Sequence, residues 1–119
     1  MIHDGLQIIL KRHNVKLAVV GCLADGSIEK VGTADGLRGH DLIQSLFGDH
    51  ESLMALDHSL EGQLMPRLWA QGEVGCVVCK PVPSHLVGLF YVETRNVVEK
   101  YRWSKVIAKE VNDLFATGQ

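Results

Sequence analysis

The sequence predicts an α+β fold in the order helix, two strands, helix, three strands, helix, and three observations predict it. Residues 85–92 are apolar on both faces, Val87, Leu89 and Tyr91 alternating with Leu86, Phe90 and Val92, so helices must cover this strand above and below. The longest helical pattern in the chain, which Asn96 opens, follows it almost without a loop. Asp25-Gly26 sits between two strand-like runs and supplies the positive φ that a tight hairpin demands.

Taken in order, residues 2–13 carry Ile2, Leu6, Ile9 and Leu10 at helical spacing, with Asp4, Gln7, Lys11 and Arg12 opposite, and this amphipathic helix ends near Asn14. Residues 15–23 form a strand with Leu17, Val19 and Leu23 on one face and Ala18, Val20 and Cys22 on the other. Residues 28–34 return as a more polar strand, placed nearer a sheet edge. After a glycine-rich loop, His40 or Asp41 is positioned to cap a helix. Leu42, Ile43, Leu46 and Phe47 form its first apolar patch, and Leu53, Met54, Leu56 and Leu60 its second. Gly48-Asp49 interrupts them, so the segment is one kinked helix or two consecutive ones, ending around Gly62.

Residues 63–71 fit either a helix extension or a strand. Pro66 disfavours a helix interior and a central strand alike, which leaves an edge strand. Residues 74–80 are a strand, Pro81-Val82-Pro83-Ser84 a stiff loop, and the three consecutive strands an antiparallel meander. Asn96 caps the last helix with Glu99 three residues on. Val97, Tyr101, Ser104, Ala108, Val111 and Phe115 make its core stripe, widened by Trp103, Ile107 and Leu114, while Arg102, Lys105 and Lys109 lie opposite.

The 119 residues make one domain, 1–119, with room for a single core. Hydrophobic content of 46%, charged content of 22% and a net charge of −2 are those of a globular protein with no polyanion footprint. Neither nucleic acid nor membrane is expected as a partner. The beginning of the chain lacks the blocks of a signal peptide, and three cysteines do not make a secreted disulfide framework, so a reducing cytoplasmic location is expected.

Four constellations bear on chemistry. Cys76 and Cys79 have C-x-x-C spacing, but inside a strand residues three apart face opposite ways, which suits buried small hydrophobes better than a metal or redox pair. His50, Met54, Asp57, His58 and Glu61 share one helix face. That face reads as solvated or as an interface rather than a metal site, because no third imidazole is placed beside it. Arg67, Leu68 and Trp69 lie on the edge-strand candidate, where Trp and Arg are typical interface anchors and unpaired backbone groups invite another chain. The Arg102, Lys105, Lys109 patch is the wet side of a helix or a surface for an acidic partner. Gly88 allows close approach of a helix backbone or marks a bulge. With no phosphate loop, dinucleotide fingerprint, nucleophile elbow or catalytic carboxylate pair, the chain reads as a non-enzyme without cofactor.

The order of elements resembles the roadblock/LC7 family. The resemblance rests on the hairpin Val19-Val20-Gly21-Cys22-Leu23-Ala24-Asp25-Gly26-Ser27-Ile28, the long central helix, the meander ending in Leu86-Val87-Gly88-Leu89-Phe90-Tyr91-Val92, and the closing helix. It departs at Pro66, at the Gly48 break and in its longer last helix. The resemblance implies a five-stranded antiparallel sheet with the first and last helices on one face and the central helix on the other. It also implies a homodimer joined through the central helix and third strand, here His50, Met54, Asp57, His58, Arg67, Leu68 and Trp69, and a small Ras-like GTPase as partner. The reading is thus a scaffold or regulator. The alternative of another class is a GAF- or profilin-like sensor, whose mark is a cavity lined by His40, Cys22 or Gly88.

Overall fold

The computed structural model describes residues 2–35, 37 and 41–117. The elements are α1 (Ile2–His13), β1 (Leu17–Cys22), β2 (Ile28–Gly32), α2 (Asp41–Phe47), α3 (His50–Ser59), β3 (Arg67–Gln71), β4 (Val74–Val82), β5 (His85–Val92) and α4 (Val97–Thr117). The strands form one antiparallel five-stranded sheet in the order β2-β1-β5-β4-β3. The doubly apolar strand β5 lies at its centre, and the more polar β2 and the Pro66-preceded β3 lie at its two edges.

Local chemistry explains the boundaries. α1 stops because Asn14 adopts a left-handed φ of 57°, after which the Val15 N–H closes back onto the Leu10 carbonyl at 3.0 Å. The β1–β2 turn places Gly26 at φ 75°, and the Ser27 N–H donates to the Asp25 carboxylate at 2.9 Å, which holds that carboxyl below its usual range. At the start of α4 the Glu99 N–H donates to Asn96 Oδ1 at 2.9 Å, and the Asn96 amide donates back to Glu99 Oε1 at 2.9 Å. His40, weighed above as a cap and as a cavity residue, lies outside the described residues.

The alternation of each strand sends its two sets of side chains into two separate cores. Ala18, Val20, Val77, Cys79, Val87, Leu89 and Tyr91 pack under α1 and α4. Leu17, Val19, Cys76, Val78, Leu86 and Phe90 pack under α2 and α3. The central segment resolves into two helices at Gly48-Asp49, where the Ser52 N–H donates to Asp49 Oδ1 at 2.7 Å and starts α3 afresh.

The sheet itself fixes where those two helices sit. Gly21 of β1 and Gly88 of β5 lie on the same face of neighbouring strands, diagonal to each other in the register. A Cβ on Gly88 would stand 2.4 Å from Phe47 Cε2, and one on Gly21 would stand 2.6 Å from Leu53 Cδ1. The two glycines therefore hollow the sheet to seat one side chain from each side of the helix break. This corrects the reading of Gly88: pairing runs unbroken through it to both neighbours, and a side-chain ring, not a helix backbone or a bulge, fills the space. The irregularity in the meander falls instead between Cys79 and Val82.

The core stripe of α4 is also corrected at its start. Ser104, Ile107, Ala108, Val111 and Phe115 are buried, but Val97 is 75% and Tyr101 55% exposed. Tyr101 lines a surface groove with the segment leading into β3 and the first residues of that strand.

Candidate interaction surface

The strongest feature outside the two cores is the free edge of β3. Among the described residues this strand pairs with β4 alone, from Arg67↔Val78 to Gln71↔Val74, and its outer backbone groups have no strand beside them. Alternation turns Leu68 toward the α4 side and Trp69 toward the α3 side, where each packs half-buried against the nearest core. Arg67, Ala70 and Gln71 lie along the strand, all three exposed. The opposite edge differs: β2 carries exposed Glu29 and Lys30 at its middle, the charged protection that discourages pairing. β3 has no such charge at its centre.

The α3 residues divide among several surroundings. Met54 is 46% exposed on the outer side of α3. Asp57 turns inward to meet Lys80 Nζ at 2.7 Å, tying α3 to β4. His58 stays in solvent, its Nδ1 3.5 Å from Glu61. His50 is drawn away from the group: its Nε2 lies 3.2 Å from the Leu23 carbonyl and its ring abuts Gly26 of the hairpin. Trp69 thus lies on the α2–α3 side of the β3 edge, and Asp57 ties α3 to β4. Met54 and His58 are exposed on α3, Arg67 and Leu68 belong to the edge itself, and His50 anchors the hairpin. Among the described residues, no three His, Cys, Asp or Glu side chains converge as a metal site would require.

Cys76 and Cys79 lie on opposite faces of β4, one in each core. Burial pushes the Cys76 thiol well up and the Cys79 thiol up to about 12 from 9.0. Because the unfolded chain releases the Cys79 proton near 9.0 while the folded chain holds it until about 12, stability falls as pH rises across that window. The expected outcome is that a thiol reagent at pH 8 labels Cys22 in the native protein and reaches Cys76 and Cys79 only on unfolding. A Cys79→Val variant is expected to lose less stability than the parent between pH 9 and 11, as followed by urea unfolding.

One cluster has no local signature in the sequence. On the α1–α4 side, His13 Nε2 and Arg12 both engage the Glu110 carboxylate, and Trp103 Nε1 donates to His13 Nδ1 at 3.1 Å. Trp103 also meets Tyr91 edge-on at 4.7 Å and carries the Arg95 guanidinium 4.0 Å above its ring. The contacts of Arg12 and His13 with Glu110 and Trp103 join residues ninety or more positions apart and clamp α1 to α4.

A shallow groove of about 300 Å³ runs between the segment Leu64, Met65, Pro66, Arg67, Leu68 and the α4 residues Tyr101, Ser104 and Lys105. At Gly88, by contrast, the Phe47 ring occupies the space a sensor cavity would need. No helix among the described residues is long and apolar enough to cross a membrane.

No protein-family model and no curated protein matches the sequence. Solved structures do match. Myxococcus xanthus MglB superposes with a TM-score of 0.61 at 11% identity, covering 98% of this chain and 95% of that one. The gliding protein MglB from Thermus thermophilus gives 0.59 at 14% identity, covering 95% and 87%. An MglB described as having a tetrameric arrangement gives 0.55 at 12% identity, covering 95% and 89%. At this identity the likeness is one of fold, and it extends over nearly the whole chain. The α-β-β-α-β-β-β-α pattern, its central helix divided in two, therefore builds the MglB fold, with the roadblock/LC7 architecture that the sequence resembles.

Proposed function

We infer that the protein is a non-enzymatic homodimeric scaffold or regulator that binds a small Ras-like GTPase. The observation that carries this reading is the unprotected edge of β3, with Trp69 half-buried on its α2–α3 side. Pairing β3 with its own copy about a two-fold axis centres the seam on Trp69, the middle residue of the strand, and extends the sheet from one protomer into the next. Trp69 and Met54 then supply apolar contact on the α3 side, while His58, already solvated, forms the rim. The fold shared with MglB chains, one of them in a tetrameric arrangement, supports an assembling module. The GTPase is what the resemblance to roadblock/LC7 proteins implies as partner.

Sedimentation velocity at micromolar concentration is expected to give a dimer, and Trp69→Ala to shift it toward monomer by at least about tenfold in dissociation constant. A wild-type monomer would remove the dimer from the proposal. Pull-down against small Ras-like GTPases loaded with GDP or a GTP analogue tests the partner; retention of none in either state sinks that part.

A further inference from the structure

The exposed start of α4 and the segment entering β3 form a surface that the β3 edge does not account for. Leu64 is 88%, Tyr101 55% and Met65 37% exposed, large apolar side chains that line the groove on the α4 side. Ser104 forms its inner wall and is inert as a donor, because its hydroxyl is committed to the Tyr101 carbonyl at 2.7 Å. The groove wall is mixed, with exposed apolar side chains set beside Ser104 and the basic Arg67 and Lys105.

Its charge is one-sided. Lys105 and Arg67 are the charged residues that border it, and no acidic residue among those described lines it. Lys105 places its ammonium 4.5 Å above the Tyr101 ring, and Arg102 lies on the same outer flank one turn earlier. Among the described residues, none of Arg67, Arg102 and Lys105 has a carboxylate at ion-pair distance. Lys109, the next cation along the helix, is by contrast held by Asp113 at 2.8 Å. In a chain whose net charge is −2, this leaves a locally unneutralised basic rim beside exposed apolar side chains.

We propose that the groove between α4 and the segment preceding β3 docks an acidic peptide segment of a partner protein, one apolar side chain entering between Leu64, Met65 and Tyr101 while flanking carboxylates meet Lys105 and Arg102. Charge complementarity selects this occupant, since the rim offers cations with no carboxylate partner among the described residues and the exposed Leu64, Met65 and Tyr101 side chains offer apolar contact. The Lys105 ammonium lies over the Tyr101 ring, so a carboxylate reaching the groove there meets a cation beside an aromatic face. The site shares Arg67 and Leu68 with the β3 edge, while Trp69 faces the other side of the sheet.

The test is fluorescence anisotropy on the full chain with a labelled ten-residue peptide of glutamates around a central phenylalanine and leucine, beside a counterpart with lysine for every glutamate. The acidic peptide is expected to bind saturably, weaken with added salt, and lose about tenfold or more in affinity on Lys105→Glu and on Tyr101→Ala. Both side chains are exposed, and circular dichroism verifies that the variants fold. Equal binding of the lysine peptide, or unchanged affinity in Lys105→Glu, overturns the proposal. It also falls if no peptide binds and Lys105→Glu instead dissociates a dimer, because the groove is then filled by a second copy.

Discussion

Gly88→Val is expected to destabilise the protein by about 3 kcal/mol, the upper end of the range for overpacking a well-filled core. The added atoms would have to occupy space within 2.4 Å of the Phe47 ring, which is buried and held edge-on against Phe90 at 6.1 Å. Phe47 has nowhere to swing, because Gly48 and the Asp49 cap fix the end of α2 against the start of α3. Gly88→Ala is the milder form, expected to cost about 2 kcal/mol, and Phe47→Leu in the same chain should return part of that loss. Urea denaturation of the two single variants and the double variant measures the coupling. A Gly88→Ala protein as stable as the parent would show that the ring does not fill this hollow.

Trp103→Ala comes second, at about 3 kcal/mol, near the low end for removing a buried tryptophan because this one is only half-buried. The loss is not apolar area alone. Trp103 ties Tyr91 of the sheet, Arg95 of the loop and His13 of α1 to a single ring. Trp103→Phe keeps most of the surface and removes the N–H donated to His13, with an expected cost of about 1 kcal/mol from that bond. If the two variants prove equally destabilised, the packing of the indole contributes nothing beyond its hydrogen bond, contrary to the edge-on contact with Tyr91. Hydrogen exchange should place the effect at α1, whose hold on α4 runs through His13 and Glu110.

Much of the fold follows from period and punctuation. β5 alternates large apolar residues on both faces, and that alone demands helices above and below a central strand. Asp25-Gly26, Asn14 and the Asn96–Glu99 pair each fix a turn or a helix end by local hydrogen bonding, which acts within a few residues and is written in a short window. The opposed Cys76 and Cys79 followed from strand geometry for the same reason.

What the tertiary structure decided involves residues distant in the chain. Whether Val97 and Tyr101 are buried depends on how far the sheet extends beneath α4, and helical periodicity gives direction but not reach. The role of Gly88 depends on which ring descends from α2, far earlier in the chain, and the clamp of His13 on Glu110 and Trp103 depends on two helices lying side by side. Of the expected interface, the edge position of β3 was readable from Pro66. The inward turn of Asp57 to Lys80 and the capture of His50 by the hairpin were not, because side chains on one helix face choose among partners that only the folded sheet brings near. The sequence by itself determined the elements, their order and the inward faces, through short-range hydrogen bonding and alternation. Only the packed structure decided which of the remaining side chains are committed to the core and which stand free for a partner, because that depends on contacts between elements far apart in the chain.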